Sequence, residues 1–171
     1  MNLVLRPLQG NDIAEVVAAF AALDWGGKTA SQFERYLAEH DAGTRVTRFA
    51  FVDGVFAGYL NVLWQSGYPP FADAQIPEIN DFNVLPEFRK QGIGTALMDE
   101  AECVIARRSS IAGVGVGMTQ DYGAAQRLYV RRGYVPDGRG LMTHERPVVD
   151  EESVLVDYGL VLYFTKKLET V

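Results

Sequence analysis

The stretch Asp81-Phe82-Asn83-Val84-Leu85-Pro86-Glu87-Phe88-Arg89-Lys90-Gln91-Gly92-Ile93-Gly94-Thr95-Ala96-Leu97-Met98 decides how this chain is read. It has the pattern of a strand, a short basic turn, and a helix that begins at two glycines. A turn of this kind gathers unpaired backbone N–H groups and the positive end of a helix dipole at one point, which suits a phosphate. Glycine lets the backbone approach an anion with no Cβ in the way. Arg89 and Lys90 add two positive side chains. The first expectation is therefore a phosphate-bearing ligand.

The rest of the composition narrows the class. A chain of 171 residues is most simply one domain, 1–171, large enough to bury a full core. Its 48% hydrophobic and 22% charged residues are ordinary for a soluble globular protein. A net charge of −6 disfavours nucleic acid as a general partner, which would call for a basic stripe. No apolar run approaches the ~20 residues needed to span a bilayer, so no membrane role is expected. The start, Met1 to Pro7, lacks the basic-then-apolar signature of a secretion signal. The lone Cys103 rules out an internal disulfide and suits a reducing compartment. The frame is a soluble cytoplasmic protein.

Working outward, Leu3 to Arg6 reads as a first strand stopped by Pro7. Asn11 or Asp12 caps a helix with Ile13, Val16, Val17, Phe20 and Ala21 on one face, ended by Gly26-Gly27. A second helix starts at the Ser31 cap and runs to about His40. Residues 45–52 and 55–64 form strands joined by the tight Asp53-Gly54 turn. A loop with exposed aromatics follows, Ser66 to Phe71, and then a long strand from Ile76 to Leu85. After Gly92 comes an amphipathic helix of about four turns. Ile111 to Thr119 is a strand in which Gly113, Gly115 and Gly117 alternate with Val114, Val116 and Met118. One of its faces is bare, so a closely packed helix or a ligand must lie against it. Ala124 to Arg132 is a helix ended by Gly133. Tyr134-Val135, interrupted by Pro136-Asp137-Gly138, and Leu141 to Thr143 are strand fragments. Glu145 to Asp157 is an acidic surface loop, and Leu160 to Thr165 a closing strand. The order β-α-α-β-β-β-α-β-α-β-β indicates one mixed α/β domain.

Two places break the pattern. A central strand buried on both faces should be a near-continuous aliphatic run. Here Glu78, Asn80, Asp81 and Asn83 interrupt it. Local violations of this sort mark functional positions, or an open strand end in water. The second is Tyr129, which interrupts the apolar face of its helix.

Together these pieces resemble the GNAT superfamily of acyl-CoA-dependent N-acyltransferases. That family's phosphate-loop pattern, Arg/Gln-x-x-Gly-x-Gly/Ala, stands here as Arg89-Lys90-Gln91-Gly92-Ile93-Gly94. Its second motif, Ala-x-x-Leu-Tyr-x-x-x-Gly-Phe/Tyr, stands as Ala125 to Tyr134, with Leu128-Tyr129 at its centre. The element order also matches, over nearly the whole chain. The resemblance implies a mostly antiparallel central sheet, splayed at its middle strands, with helices on both faces. It implies that acetyl-CoA is the co-substrate, with its pyrophosphate held at Arg89, Lys90, Gln91, Gly92, Ile93, Gly94 and Thr95. The pantetheine arm would pair with the backbone of Phe82, Asn83 and Val84. Tyr129 matches the tyrosine that protonates the departing thiolate. Glu78, fourteen residues before Gly92, matches the glutamate base of some members, and Asp81 competes with it for that role. No metal is implied. One departure is Tyr122, where many members carry an Asn that touches the cofactor arm.

The chemistry implied is acetyl transfer to a small-molecule or peptide amine by direct attack in a ternary complex. A primary amine is mostly protonated at neutral pH, so a base must free it. A non-catalytic acyl-CoA-binding domain on the same fold is the alternative. A dinucleotide-dependent oxidoreductase would need a third glycine at position 97, which is Leu. A homodimer through the last strands is an arrangement the family allows.

Overall fold

The computed structural model describes residues 1–25, 27–143 and 146–169. Gly26 of the Gly26-Gly27 pair, and Glu145 at the start of the acidic segment, lie outside the described residues. The elements follow the order β1 (Leu3–Arg6), α1 (Ile13–Ala21), α2 (Ala30–Asp41), β2 (Arg45–Val52), β3 (Val55–Leu63), α3 (Pro69–Asp73), β4 (Glu78–Val84), α4 (Ile93–Ala106), β5 (Ile111–Gly117), α5 (Gly123–Arg131), β6 (Val135–Met142) and β7 (Val161–Lys167).

All seven strands form one sheet in the order β1-β2-β3-β4-β5-β7-β6. Every neighbouring pair is antiparallel except β4 and β5. That one parallel pair is short. Glu78 faces Gly113 and Ile79 faces Val114, and the two strands then part. The mixed α/β architecture with a sheet splayed at its middle strands is as the sequence leads one to expect.

Each face of the sheet has its own core. On one face α4 sets Ile93, Leu97, Met98, Ala101 and Ile105 against Leu60, Val62, Ile79, Val114 and Val116 of β3, β4 and β5. On the other, α1 and α2 bring Val16, Phe20 and Phe33 onto Phe49, Phe56 and Tyr59 of β2 and β3. The rings interlock there, with Phe49 stacked on Tyr59 at 4.8 Å and Phe20 edge-on to Tyr59 at 5.9 Å. The cap of α2 is Thr29 rather than Ser31, its hydroxyl accepting from the Gln32 N–H at 3.3 Å.

Between residues 66 and 76 the structure departs from the sequence reading. The segment is not an open loop with exposed aromatics. Residues 69–73 make a short helix started by two prolines, and Tyr68 and Phe71 are buried. The reason lies on β5. A Cβ added to Gly113 would fall 2.2 Å from the Phe71 ring, one at Gly115 would fall 2.9 Å from Tyr163, and one at Gly117 would fall 2.4 Å from Tyr122. The bare glycine face is thus covered by three aromatic rings, one of them, Phe71, carried by the short helix α3. Burying such rings favours the compact form by about 1.5–3 kcal/mol each, enough to overcome a loop-like local sequence.

β3 carries a further close approach. A Cβ at Gly58 would meet the Asn83 carbonyl oxygen at 2.4 Å and the Val84 Cα at 2.9 Å. Those atoms are backbone and cannot swing aside. Replacing Gly58 with Ala should therefore destabilise the protein by about 2–3 kcal/mol in urea unfolding. Gly67→Ala, where nothing lies within 4 Å, serves as the near-neutral control.

Candidate functional site

The site is built around the parting of β4 and β5. Across β3 and β4 the register runs Leu63 to Glu78, Val62 to Ile79 and Asn61 to Asn80, then resumes with Tyr59 to Asn83. Two steps on β3 match three on β4, so β4 contains a bulge of one extra residue. Its centre is Asp81, whose φ is +49°. The bulge keeps Ile79 and Phe82, three residues apart, both packed on the α4 side. It also ends the ladder to β5, so that beyond Ile79 no residue of β5 pairs with β4.

Beyond β4 a short turn leads to Gly92, whose φ of +84° starts α4. Gly92 lends no side-chain cap, so the first N–H groups of α4 stay unused within the helix. Arg89, Lys90, Gln91, Gly92 and Thr95 are exposed, while Ile93 is buried as the anchor. Lys90 also holds a positive φ, +61°. Arg89 donates from Nε to the Val84 carbonyl at 3.0 Å, and its guanidinium lies 5.5 Å from the Trp25 ring. Gly94 is where the two sequence motifs meet. A Cβ there would lie 3.3 Å from Phe82, 3.7 Å from Val84 and 3.9 Å from Leu128.

Tyr129 is buried on α5 with its ring 5.9 Å from that of Tyr134. Burial pushes its phenol well above the ordinary tyrosine value, and the nearby Tyr122 adds to this. It stays protonated at neutral pH. Tyr122 lies flat over Gly117 and is itself pushed up, mainly by burial.

The two candidate carboxylates have opposite surroundings. Glu78 is 6% exposed and accepts hydrogen bonds from the Ser66 hydroxyl and, at 3.2 Å, from the Asn80 amide. Burial outweighs these bonds and raises its pKa above the usual carboxylate value. Asp81, with its side chain 17% exposed, is instead ringed by donors. Lys28 Nζ reaches Oδ1 at 2.5 Å, Tyr36 reaches Oδ2 at 2.9 Å, Asn83 reaches Oδ1 at 3.0 Å, and the Tyr59 hydroxyl also donates. Desolvation opposes ionisation, but Lys28 and the hydrogen bonds overcome it and the pKa is lowered. None of the four polar residues on β4 is fully exposed, so an open strand end in water does not explain them. Lys28, Tyr59 and Ser66 are members of this arrangement that the sequence did not point to, and nothing in the sequence joins Tyr36 to Asp81.

Among the described residues there is no group of acidic, His and Cys side chains suited to a metal, and no helix is long and apolar enough to cross a membrane. The model of the acetyltransferase (GNAT) family matches residues 12–134. A search of curated proteins returned no match. Solved structures do match at low identity. An N-acetyltransferase from Staphylococcus aureus Mu50 is 14% identical with a TM-score of 0.74, covering 99% of this chain and 100% of its own. An acetyl transferase from Salmonella typhimurium that modifies the N-terminal serine of ribosomal protein L7/L12 is 15% identical, with a TM-score of 0.72 and coverage of 99% and 96%. A third, yncA from Salmonella typhimurium with its cofactor acetyl-CoA, is 16% identical, with a TM-score of 0.68 and coverage of 99% and 95%. At these identities the likeness is one of fold.

The raised pKa of Glu78 has a consequence for stability. Its contribution is fully present below the unfolded carboxylate pKa and is lost as pH rises through the higher folded value. Glu78→Gln removes that charge and keeps an acceptor for Ser66. The difference in melting temperature between the variant and the wild type should thus move in favour of the variant from pH 4.5 to pH 8, read by thermal melts across that range.

Proposed function

Because the chain belongs to the acetyltransferase (GNAT) family, we propose that it moves the acetyl group of acetyl-CoA to the nitrogen of a small-molecule or peptide amine. What carries this reading is the parting of β4 and β5 after two paired residues, with the amide-rich start of α4 at its lip and Glu78 beside it. In this reading the backbone amides of Gln91 to Thr95, with Arg89 and Lys90, hold the pyrophosphate of the donor. The backbone of Phe82, Asn83 and Val84 pairs with the pantetheine arm as a further strand would. The co-substrate supplies the activated thioester.

Glu78 takes the proton from the acceptor ammonium. It suits this role better than Asp81, since burial makes its carboxylate the more basic of the two and Asp81 is held by Lys28 and two tyrosines. The freed amine attacks the thioester carbonyl while both substrates are held together. Amides past the bulge steady the oxyanion. Tyr129, protonated at neutral pH, gives its proton to the departing sulfur. The N-terminal serine named for one structural relative supports keeping peptide amines among the acceptors.

Thiol release from acetyl-CoA, with products identified by mass spectrometry across polyamines, amino acids, aminoglycosides and peptide N-termini, tests the reading. Transfer to none of them, together with a melting shift by acetyl-CoA, would replace it with a non-catalytic acyl-CoA-binding domain. Tyr129→Phe should lower kcat by about 10²-fold with little change in donor affinity. Gly92→Val faces open space but a forbidden φ, so it should disorder the start of α4. Its acetyl-CoA KM should rise about tenfold or more while the amine KM stays near that of the wild type.

A further inference from the structure

Asp81 is the one bulge residue in β4, and its backbone conformation is one that side chains other than Gly, Asn and Asp rarely hold. Such conformations persist where the surroundings over-determine them. The surroundings here are unusually complete. Oδ1 takes Lys28 Nζ and Asn83 Nδ2, and Oδ2 takes the hydroxyls of Tyr36 and Tyr59 and, at 3.4 Å, Gln32 Nε2. Asn83 Nδ2 also donates to the Asp81 carbonyl at 3.2 Å, so one amide clasps both the side chain and the backbone of the bulge. Lys28 in turn donates to the Tyr59 hydroxyl at 2.9 Å. The donors come from four places: the segment between α1 and α2, α2 itself, β3, and β4. They converge on a single carboxylate at the point where β4 leaves β5.

We propose that Asp81 is a positioning residue, whose caged carboxylate locks the β4 bulge and so fixes the direction of the backbone N–H groups of Phe82 and Val84 toward the opening between β4 and β5. A slip of the bulge would turn Phe82 and Val84 off the α4 core and rotate the amides away from the opening, since one residue of register reverses every side chain and amide of a strand. The cage therefore links the segment between α1 and α2, through Lys28, to the geometry that the donor carbonyl meets. The proposal rests on the acetyl-transfer reading for its kinetic consequence, but not for its structural one. It also gives the two carboxylates separate roles, with Glu78 removing the proton and Asp81 holding the geometry.

The variants Asp81→Ala, Asp81→Gly and Asp81→Asn test it. Alanine loses both the cage and the tolerance for a positive φ. Glycine loses the cage but accepts the φ. Asparagine keeps the shape and loses the charge. Asp81→Ala should lower kcat about 30-fold or more, with the acetyl-CoA KM within about threefold, as expected when reacting groups are displaced by a fraction of an ångström. Asp81→Gly, which accepts the φ but lacks the cage, should also lower kcat, by about tenfold or more. Lys28→Met and Tyr36→Phe, each removing one arm of the cage, should give intermediate losses in proteins that remain folded. Amide spectra labelled with 15N provide a readout free of turnover. Coenzyme A should shift the Phe82 and Val84 amide signals in the wild type, and should fail to do so in Asp81→Ala and in Asp81→Gly.

Wild-type kcat and a wild-type amide response in Asp81→Gly would overturn the proposal, since tolerance of the φ alone would then hold the bulge. So would loss of the acidic limb of the kcat/KM pH profile in Asp81→Asn, which would make Asp81 the base. If the wild type transfers no acetyl group but the amide responses follow the expected pattern, the transfer reading fails and the positioning role stands.

Discussion

The arrangement depends on two strands failing to stay together. β4 and β5 are the only parallel neighbours in the sheet, and they pair at two positions before separating. Unpaired backbone inside a sheet is costly unless something else takes the hydrogen bonds. Here the separation is held from several sides. The bulge at Asp81 turns β4, rings rather than a strand cover the glycines of β5, and Gln126 Nε2 takes up the last β5 carbonyl, at Gly117, with a bond of 2.9 Å. The opening is thus built into the fold.

That opening divides polar labour between two carboxylates three residues apart. Pairs of titratable groups pushed in opposite directions by their surroundings are how one site holds two roles at one pH. Glu78 is short of cations, with only Arg45 exerting a lowering charge, and burial dominates. Asp81 has Lys28 at 2.5 Å and a ring of hydroxyls. The difference follows from which neighbours each strand position faces. Glu78 sits opposite Leu63 on β3, whereas Asp81 lies against Tyr59 and reaches α2.

How much of this was legible in the sequence follows from how local each feature is. The start of α4 is written in consecutive residues, Arg89 to Thr95, because a phosphate-suited turn needs only backbone conformation and a helix. Glu78 and Tyr129 were legible as breaks in otherwise apolar patterns. Lys28, Tyr36 and Tyr59 were not, since they meet Asp81 across separations of 53, 45 and 22 residues and no local rule predicts which cation finds which carboxylate. The Tyr68 to Phe71 segment misled for a related reason. Its prolines and glycine describe the backbone correctly as a turn, but the burial of its aromatics is decided by glycines on β5 over forty residues away. The glycine stripe announced a close approach without saying by what.

Tyr122 shows how such substitutions fit together. It stands where many family members carry an asparagine, and its ring occupies the space that Gly117 leaves by lacking a side chain. A Cβ at position 117 would collide with that ring at 2.4 Å, so the two residues are a matched pair. The same exchange of bulk recurs at Gly113 with Phe71 and at Gly115 with Tyr163. Along β5, then, side-chain volume has moved from the strand onto the elements that cover it. This gives the face beside Glu78 an aromatic surface of adjustable shape over a flat strand. Phe71 is buried within that surface, 1% exposed, so its bulk shapes the face from beneath.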